Sequence, residues 1–258
     1  MPGRCSTMLG VDEALLLSFS EIEDAHWWFV VRRKIVEEAI GADIPGASIV
    51  LEVGCGTGYF LNRLSQRFPD AVVTGIEPSE AAAKIARERG CSVARGTLQT
   101  CHFDADAPAD LLVALDVLEH CEDDRAALRS AASAMAPGAR IVLTVPALPS
   151  LWSPHDQANR HYRRYSARQL AGALESAGLR IDRITYFNLL LLPVGYVART
   201  IQRLTRNSAL SGVEMPGPWV NAALAAVFAL EVQLLRYLDL PLGMALLAVA
   251  RRPAEVTP

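Results

Sequence analysis

The chain has 258 residues, 51% of them hydrophobic and 21% charged, and a formal net charge of −3. That length can bury a full core, so one α/β domain with additions is the economical organisation. The slightly acidic balance gives no electrostatic footprint for nonspecific nucleic-acid binding. Five cysteines, Cys5, Cys55, Cys91, Cys101 and Cys121, make an odd count without Cys-x-x-Cys spacing. They fit reduced cytoplasmic thiols better than a disulfide framework or zinc site, and no metal is expected. Residues 1–10 are short, mixed and not followed by a clean apolar core, so they do not read as a signal peptide.

In chain order, residues 11–41 read as two helical pieces. In the second, Trp28, Val31, Ile35 and Ala39 line one face and Gly41 is a C-cap candidate. Strands and helices then alternate: strand 49–54, helix 58–68, strand 71–76, helix 79–89, a short strand at 92–94, strand 110–115, helix 122–135 and strand 140–145. Pro78 and Ser79 suit a helix start, and Pro137-Gly138 marks a stop. After a loop over 146–165, Ser166 caps a helix at 167–177, a strand follows near 179–186, and 244–250 is the last strand. This alternation predicts a doubly wound, mostly parallel sheet with helices on both faces.

A mean hydropathy of +0.21 is the unusual global value, and much of the apolarity lies late, in an addition over 188–240. There Leu190, Val194, Val197, Ile201 and Leu204 follow helical spacing, with Arg199, Arg203 and Arg206 pointing away. A second helix from Pro218 carries Val220, Leu224, Val227, Phe228, Leu234, Leu235 and Leu238 on one side. Neither segment is long and apolar enough to span a bilayer. The pair packs on the core or on a second copy, or it serves as an apolar lid or membrane-surface foot, since a basic face opposite an apolar stripe suits anionic lipid. Glu231, in the middle of the second stripe, is expected to pair with an arginine of the neighbouring helix.

The chemistry starts at the run Ile49-Val50-Leu51-Glu52-Val53-Gly54-Cys55-Gly56-Thr57-Gly58. An apolar strand that must turn sharply into a helix reads this way, because glycine reaches φ > 0 and lets a ligand approach the main chain. The following helix presents free N–H groups over the turn. Glu77 ends the next apolar run about 20 residues on, where a ribose-binding acid sits in nucleotide-binding βαβ units. A dinucleotide fingerprint needs its third glycine one residue later. Glu52 just before the turn would repel a pyrophosphate but suits a ligand with positive charge.

These residues resemble motif I of the class I S-adenosylmethionine-dependent methyltransferases. The resemblance continues in Gly75-Ile76-Glu77-Pro78-Ser79, in Leu115-Asp116-Val117-Leu118-Glu119-His120, and in Pro137-Gly138-Ala139-Arg140-Ile141-Val142-Leu143-Thr144-Val145-Pro146. It implies a single domain over 1–258 with a seven-stranded sheet whose last strand runs antiparallel. Its parts would be a helical cover at 11–41, a Rossmann-like core at 45–187, the addition at 188–240 and the last strand at 241–252. It also implies S-adenosylmethionine as cofactor and S-adenosylhomocysteine as product. Gly54, Cys55, Gly56 and Gly58 would line the methionyl end, Glu52 would help hold its ammonium, and Glu77 with Pro78 would take the ribose. Thr97 and Leu98 would flank adenine, with Thr97 where many relatives are acidic. Asp116 and Val117 would face the methionyl part, while Trp28 or Phe29 would exclude water and Arg33 would pair with the cofactor's carboxylate.

Catalytic groups should stand at the carboxyl ends of strands four and five. His155, His161 and His120, in that order, are candidates for a general base in O-methylation, histidine being the side chain most readily tuned to accept a proton near neutrality. His120 has the alternative of capping the following helix. Trp152, Asp156, Asn159, Arg163, Arg164 and Tyr165 form the rest of a dense polar loop expected to contact the acceptor. The expected function is methyl transfer to a small-molecule or lipid-like acceptor in natural-product, lipid or envelope-sugar metabolism, with no nucleic-acid partner. The expected location is the cytoplasm, with membrane contact at its inner face or a homodimer through 188–240. A non-catalytic cofactor-binding scaffold and an NAD-type oxidoreductase are the alternatives.

Overall fold

The computed structural model describes residues 20–41, 47–100, 108–205 and 215–254. The first expected helical piece, Cys5, Cys101 and Arg206 lie largely or wholly outside them. In order, the elements are α1 (Trp27–Ile40), β1 (Ile49–Val53), α2 (Tyr59–Arg67), β2 (Val72–Glu77), α3 (Glu80–Glu88), β3 (Ser92–Arg95) and β4 (Ala109–Leu115). A 3₁₀ turn (Leu118–His120) leads to α4 (Asp124–Ser133) and β5 (Met135–Pro146). A second 3₁₀ turn (Pro149–Leu151) precedes α5 (Pro154–Ala158), α6 (Ala167–Ser176), β6 (Arg180–Phe187), α7 (Leu192–Thr205), α8 (Pro218–Leu234) and β7 (Ala245–Arg251).

Among the described residues seven strands form one sheet in the order β3-β2-β1-β4-β5-β7-β6. β1 pairs in parallel with β2 and β4, and β7 runs antiparallel between β5 and β6. The order reverses between β1 and β4, so the crevice outside their carboxyl ends is the switch point where ligands bind in such sheets. Central strands such as Ala109–Leu115 are buried on both faces, which explains their near-continuous apolar runs. One face packs under α4 and α6 through Leu112, Leu128, Leu143 and Leu170. The other packs under α1, α2 and α8 through Val36, Leu64, Leu111 and Phe228.

Local chemistry sets the helix starts. The Ser79 hydroxyl accepts from Ala82 N–H at 3.3 Å, Asp123 from Ala126 N–H at 2.8 Å, and Ser166 and Gln169 form a reciprocal capping box. Pro137-Gly138 follows the end of α4 at Ser133, as expected of a stop, and lies inside the early part of β5. Met135 already lies opposite Ala109, and the chain passes Gly138 at φ 82° before the register resumes at Leu111–Arg140.

The helical addition departs further from expectation. Phe228 of α8 stacks on Trp28 at 5.6 Å between ring centres, fastening α8 to α1. Glu231 is fully buried, but its partners are backbone N–H groups, Asn188 at 2.6 Å and Leu190 at 2.8 Å, not an arginine. Asn188 at φ 60° turns those amides toward α8, and the carboxylate satisfies what the irregular β6–α7 junction leaves unpaired. The apolar stripe of α7 faces outward: Val194, Val197, Ile201 and Leu204 are exposed, while Arg199 turns inward to the Ser153 hydroxyl at 3.4 Å.

Candidate active site

The turn after β1 carries Gly54, Gly56 and Gly58 at φ 70°, 55° and 79°, a left-handed region that side chains disfavour. A Cβ on Gly54 would stand 2.5 Å from Val117 Cγ2, and one on Gly58 would stand 2.6 Å from Ala86 Cβ. Gly56 N–H donates to Glu77 Oε2 at 2.8 Å and Ser79 N–H to Glu77 Oε1 at 2.9 Å. Burial raises the Glu77 carboxyl above its ordinary range, and these two donors pull it partly back. Glu52 is 3% exposed and its Oε2 has no hydrogen-bond partner among the described residues. Burial pushes its carboxyl well above the ordinary range, against the pull of Arg32. Cys55 is buried beneath the turn, with its thiol raised by burial.

The N-terminal cover reaches this turn through residues the sequence did not single out. Thr57 Oγ1 donates to Glu23 Oε1 at 2.7 Å, and Arg89 joins the same oxygen at 2.5 Å. Arg32, not its neighbour Arg33, extends to the strand tops, where it pairs with Asp116. Asp116, at φ 56°, also accepts from Thr144 Oγ1 at 2.9 Å. Arg33 is buried with its guanidinium 4.2 Å from the Tyr59 ring centre and donates to the Glu23 carbonyl at 2.5 Å. Trp28 is spent in the aromatic stack with Phe187 and Phe228. Beyond β3, Thr97 closes a local turn with Thr100, hydroxyl to hydroxyl at 2.8 Å, and Leu98 is core. Pro78 lies between Glu77 and the capping Ser79.

The 146–165 loop begins and ends at one point. Tyr165 N–H donates to Pro146 O at 2.9 Å and Leu148 N–H to Tyr165 O at 3.0 Å. Asp156, fully buried, is its hub: it accepts from Ser153 N–H at 2.9 Å and Arg164 Nε at 2.7 Å, and faces His161 Nδ1 at 3.1 Å. Burial alone would raise its carboxyl, but the His161 hydrogen bond and the Arg164 charge outweigh it and hold it below the usual carboxylate range. Arg164 also donates to Ala147 O, Arg163 pairs with Asp124 at 3.1 Å, and Tyr165 donates to Asp124 at 2.9 Å. These three side chains therefore pin the loop. Asn159 donates to the His155 carbonyl at 2.8 Å and Trp152 is half-buried beside Ser153.

Tyr162 N–H donates to Glu119 O at 2.8 Å, which docks the loop on the turn after β4. His161 thereby meets His120 edge to face, ring centres 4.8 Å apart. His120 belongs to the 3₁₀ turn and does not cap α4; Asp123 does. Burial and the His161 charge lower His120 to about 4. Burial and Arg199 lower His155 to about 3. Next to them Glu119, absent from the expected site, is 1% exposed with no hydrogen-bond partner on either oxygen among the described residues.

A family profile described as a methyltransferase domain matches residues 26–184. The chain belongs to the class I S-adenosylmethionine-dependent methyltransferases. This methyltransferase is 32% identical over 98 residues to a ubiquinone biosynthesis O-methyltransferase of Idiomarina loihiensis, an alignment covering 36% of this chain and 40% of that one. It is 29% identical over 177 residues to a trans-aconitate 2-methyltransferase of Methylobacterium nodulans, covering 67% and 66%. In structure it resembles an S-adenosylmethionine-dependent methyltransferase from Mesorhizobium loti, with TM-score 0.58, 19% identity, and 89% and 100% of the chains covered.

The cofactor of this family fits the residues present. A buried Glu52 oxygen with no hydrogen-bond partner among the described residues, just before a turn of three left-handed glycines, fits the ammonium of a cationic amino-acid ligand. Glu52 carries a testable cost. Its folded pKa lies above the unfolded one, so wild-type stability from this group is full below the unfolded pKa and lost as pH rises through the folded one. Glu52→Gln should therefore match the wild type near pH 4 and melt higher than it at pH 8 without ligand. A lower melting temperature at pH 8, read by calorimetric scans, would show that the charge is compensated.

Proposed function

We propose that this methyltransferase moves the methyl group of S-adenosylmethionine to a hydroxyl of a small or amphiphilic acceptor in natural-product, lipid or envelope-sugar metabolism. The observation that carries the reading is the Asp156–His161 pair set against His120 beyond β4 and β5. Gly54, Cys55, Gly56 and Gly58 would line the methionyl end, and Glu52 would meet the ammonium. Each Glu77 oxygen keeps a further lone pair for a ribose hydroxyl, with Pro78 beside it. Val117 closes over Gly54, Asp116 faces the methionyl part, and Thr97 and Leu98 flank the adenine. Arg32 takes the part expected of Arg33 at the strand tops. When bound, the sulfonium supplies a methyl carbon open to in-line displacement.

The chain's own work is to exclude water, align the acceptor and receive its proton. Asp156 holds the His161 ring through Nδ1, which leaves Nε2 for the acceptor hydroxyl. His155 is too weak a base at about 3 and faces Arg199. His161→Ala should slow single-turnover methyl transfer by about 10²–10⁴-fold, the usual worth of a positioned base, with His155→Ala much milder. Acceptor panels spanning phenols, hydroxylated lipids and trans-aconitate supply the assay. Equal losses in the two variants would remove the assignment.

The amphiphilic acceptor is supported by the outer surface of α7 and α8. Trp219 is 88% exposed, with Val220, Leu230 and Leu234 open along the same helix and Val197, Ile201 and Leu204 open on α7. Residues 188–213 contain three arginines and no Asp or Glu. Among the described residues no helix is long and apolar enough to cross a membrane. An exposed apolar face tipped with tryptophan, next to a segment with arginines and no acidic residue, suits an anionic lipid surface, here the inner face of the cytoplasmic membrane. The full chain should co-sediment with anionic phospholipid vesicles, and Trp219→Glu with Leu230→Glu should cut that partition about tenfold. Equal partition would favour a homodimer through the same face.

A further inference from the structure

The turn after β4 and the loop after β5 meet at a group of side chains that the fold leaves unsatisfied. Glu119, His120 and His161 each offer one ligand atom, all within 4.8 Å of one another. Buried carboxylates are normally hydrogen-bonded, yet among the described residues both Glu119 oxygens lack a hydrogen-bond partner, and so does buried His120 Nδ1. The His120 ring is hydrogen-bonded to the Arg160 backbone, and His161 Nδ1 faces Asp156 at 3.1 Å. Each imidazole thus has one nitrogen held by protein oxygen and the other left for a ligand. That is the outer-shell pattern of metal-binding histidines, in which a carboxylate or carbonyl fixes the tautomer and ring.

We infer that Glu119, His120 and His161 hold a divalent transition-metal cation of the zinc or cobalt type. Two imidazoles and one carboxylate suit such cations, whereas magnesium prefers oxygen throughout. Three protein ligands leave coordination positions open, as in catalytic rather than structural sites. Asp156 is the positioning residue, buried and fastened by Arg164 and Ser153. The expectation of no metal rested on the cysteine spacing, whereas this ligand set joins the adjacent Glu119 and His120 to His161, 41 positions further on. In the proposed reaction, on which only the use of the cation rests, a coordinated acceptor hydroxyl becomes more acidic. Its proton then leaves to bulk solvent, and the oxygen's electron pair forms the new bond to the methyl carbon as the methyl–sulfur bond breaks and its electron pair stays on the sulfur of S-adenosylhomocysteine. With the cation bound, His161 Nε2 is a ligand and the metal replaces its role as base.

The test is titration of the chelator-stripped full chain with Zn²⁺, Co²⁺ and Mg²⁺, followed by calorimetry and, for Co²⁺, by visible absorption. One Co²⁺ or Zn²⁺ should bind per chain, with Mg²⁺ far weaker. Glu119→Gln and His161→Asn should weaken binding by at least about 10-fold to 100-fold, the range for losing even an outer-shell partner. Asp156→Asn should weaken it about tenfold and shift the Co²⁺ bands, with circular dichroism confirming that each variant is folded. No saturable binding, or binding that survives in both ligand variants but is lost in Cys121→Ser, overturns the site. Binding lost in the ligand variants of a protein that methylates nothing upholds the site and sinks the reaction. Methyl transfer slowed by His161→Ala in a wild type that binds no cation does the opposite.

Discussion

Gly54→Ala should abolish measurable cofactor binding and lower the melting temperature by about 5–15 °C. Two separate costs combine at this position. A side chain at φ 70° pays roughly 1–2 kcal/mol for the left-handed backbone. The new methyl group, 2.5 Å from Val117 Cγ2, adds about 1–3 kcal/mol of overpacking. In a chain of this size each kcal/mol moves the midpoint by about 2–4 °C. Val117 must move to relieve the contact, and it closes the same turn on which the cofactor is proposed to lie. Gly178 supplies the control, since it has φ 76° but open space around a built Cβ. Gly178→Ala should pay only the backbone cost and bind normally. If Gly54→Ala binds normally too, the turn is not the cofactor's cradle.

Glu77→Ala should cost at least about 100-fold in cofactor affinity, close to 2.7 kcal/mol. The carboxylate now accepts from the Gly56 and Ser79 amides at 2.8 and 2.9 Å. Each buried amide left unpaired costs about 1–3 kcal/mol, and the loss of Gly56's partner loosens the turn itself. The two ribose hydroxyls lose their acceptor in the same step. Glu77→Gln should fall between the wild type and Glu77→Ala, because its amide offers one oxygen to two donors and sets an NH₂ group against the other. Calorimetric titration of the three proteins with S-adenosylhomocysteine measures the series. An unchanged affinity in Glu77→Ala would place the ribose elsewhere.

The parts of this site that were legible in the sequence are local ones. A strand, a glycine turn and an acid one strand later are written within residues 49–77, and the fold puts them where the pattern implies. The carboxyl ends of β4 and β5 were legible for the same reason, through parallel alternation. What depended on how one element docks on another was not. Arg32 and Arg33 are adjacent on a helix and point about a quarter-turn or more apart, so only the seating of α1 decides which reaches Asp116. Arg163, Arg164 and Tyr165 look like an exposed polar patch, yet the loop closes on itself, buries Arg164 against Asp156 and Tyr165 against Asp124, and pins the half-buried Arg163 to Asp124. The apolar stripe of α7 predicted the helix and not its orientation, because spacing cannot say whether protein or another phase covers a face. Glu119 was hidden by lying inside a recognised motif; its sign in the sequence was the adjacent histidine, its partner His161 coming from another loop.

The central claim is that the Gly54–Gly58 turn, with Glu52 and Glu77, holds S-adenosylmethionine. Isothermal titration of the purified, folded chain with S-adenosylhomocysteine tests it most directly. The account predicts saturable binding at one site per chain, lost in Gly54→Ala and weakened at least about 100-fold in Glu77→Ala. A folded wild type that gives no saturable heat with either S-adenosylhomocysteine or S-adenosylmethionine would contradict it.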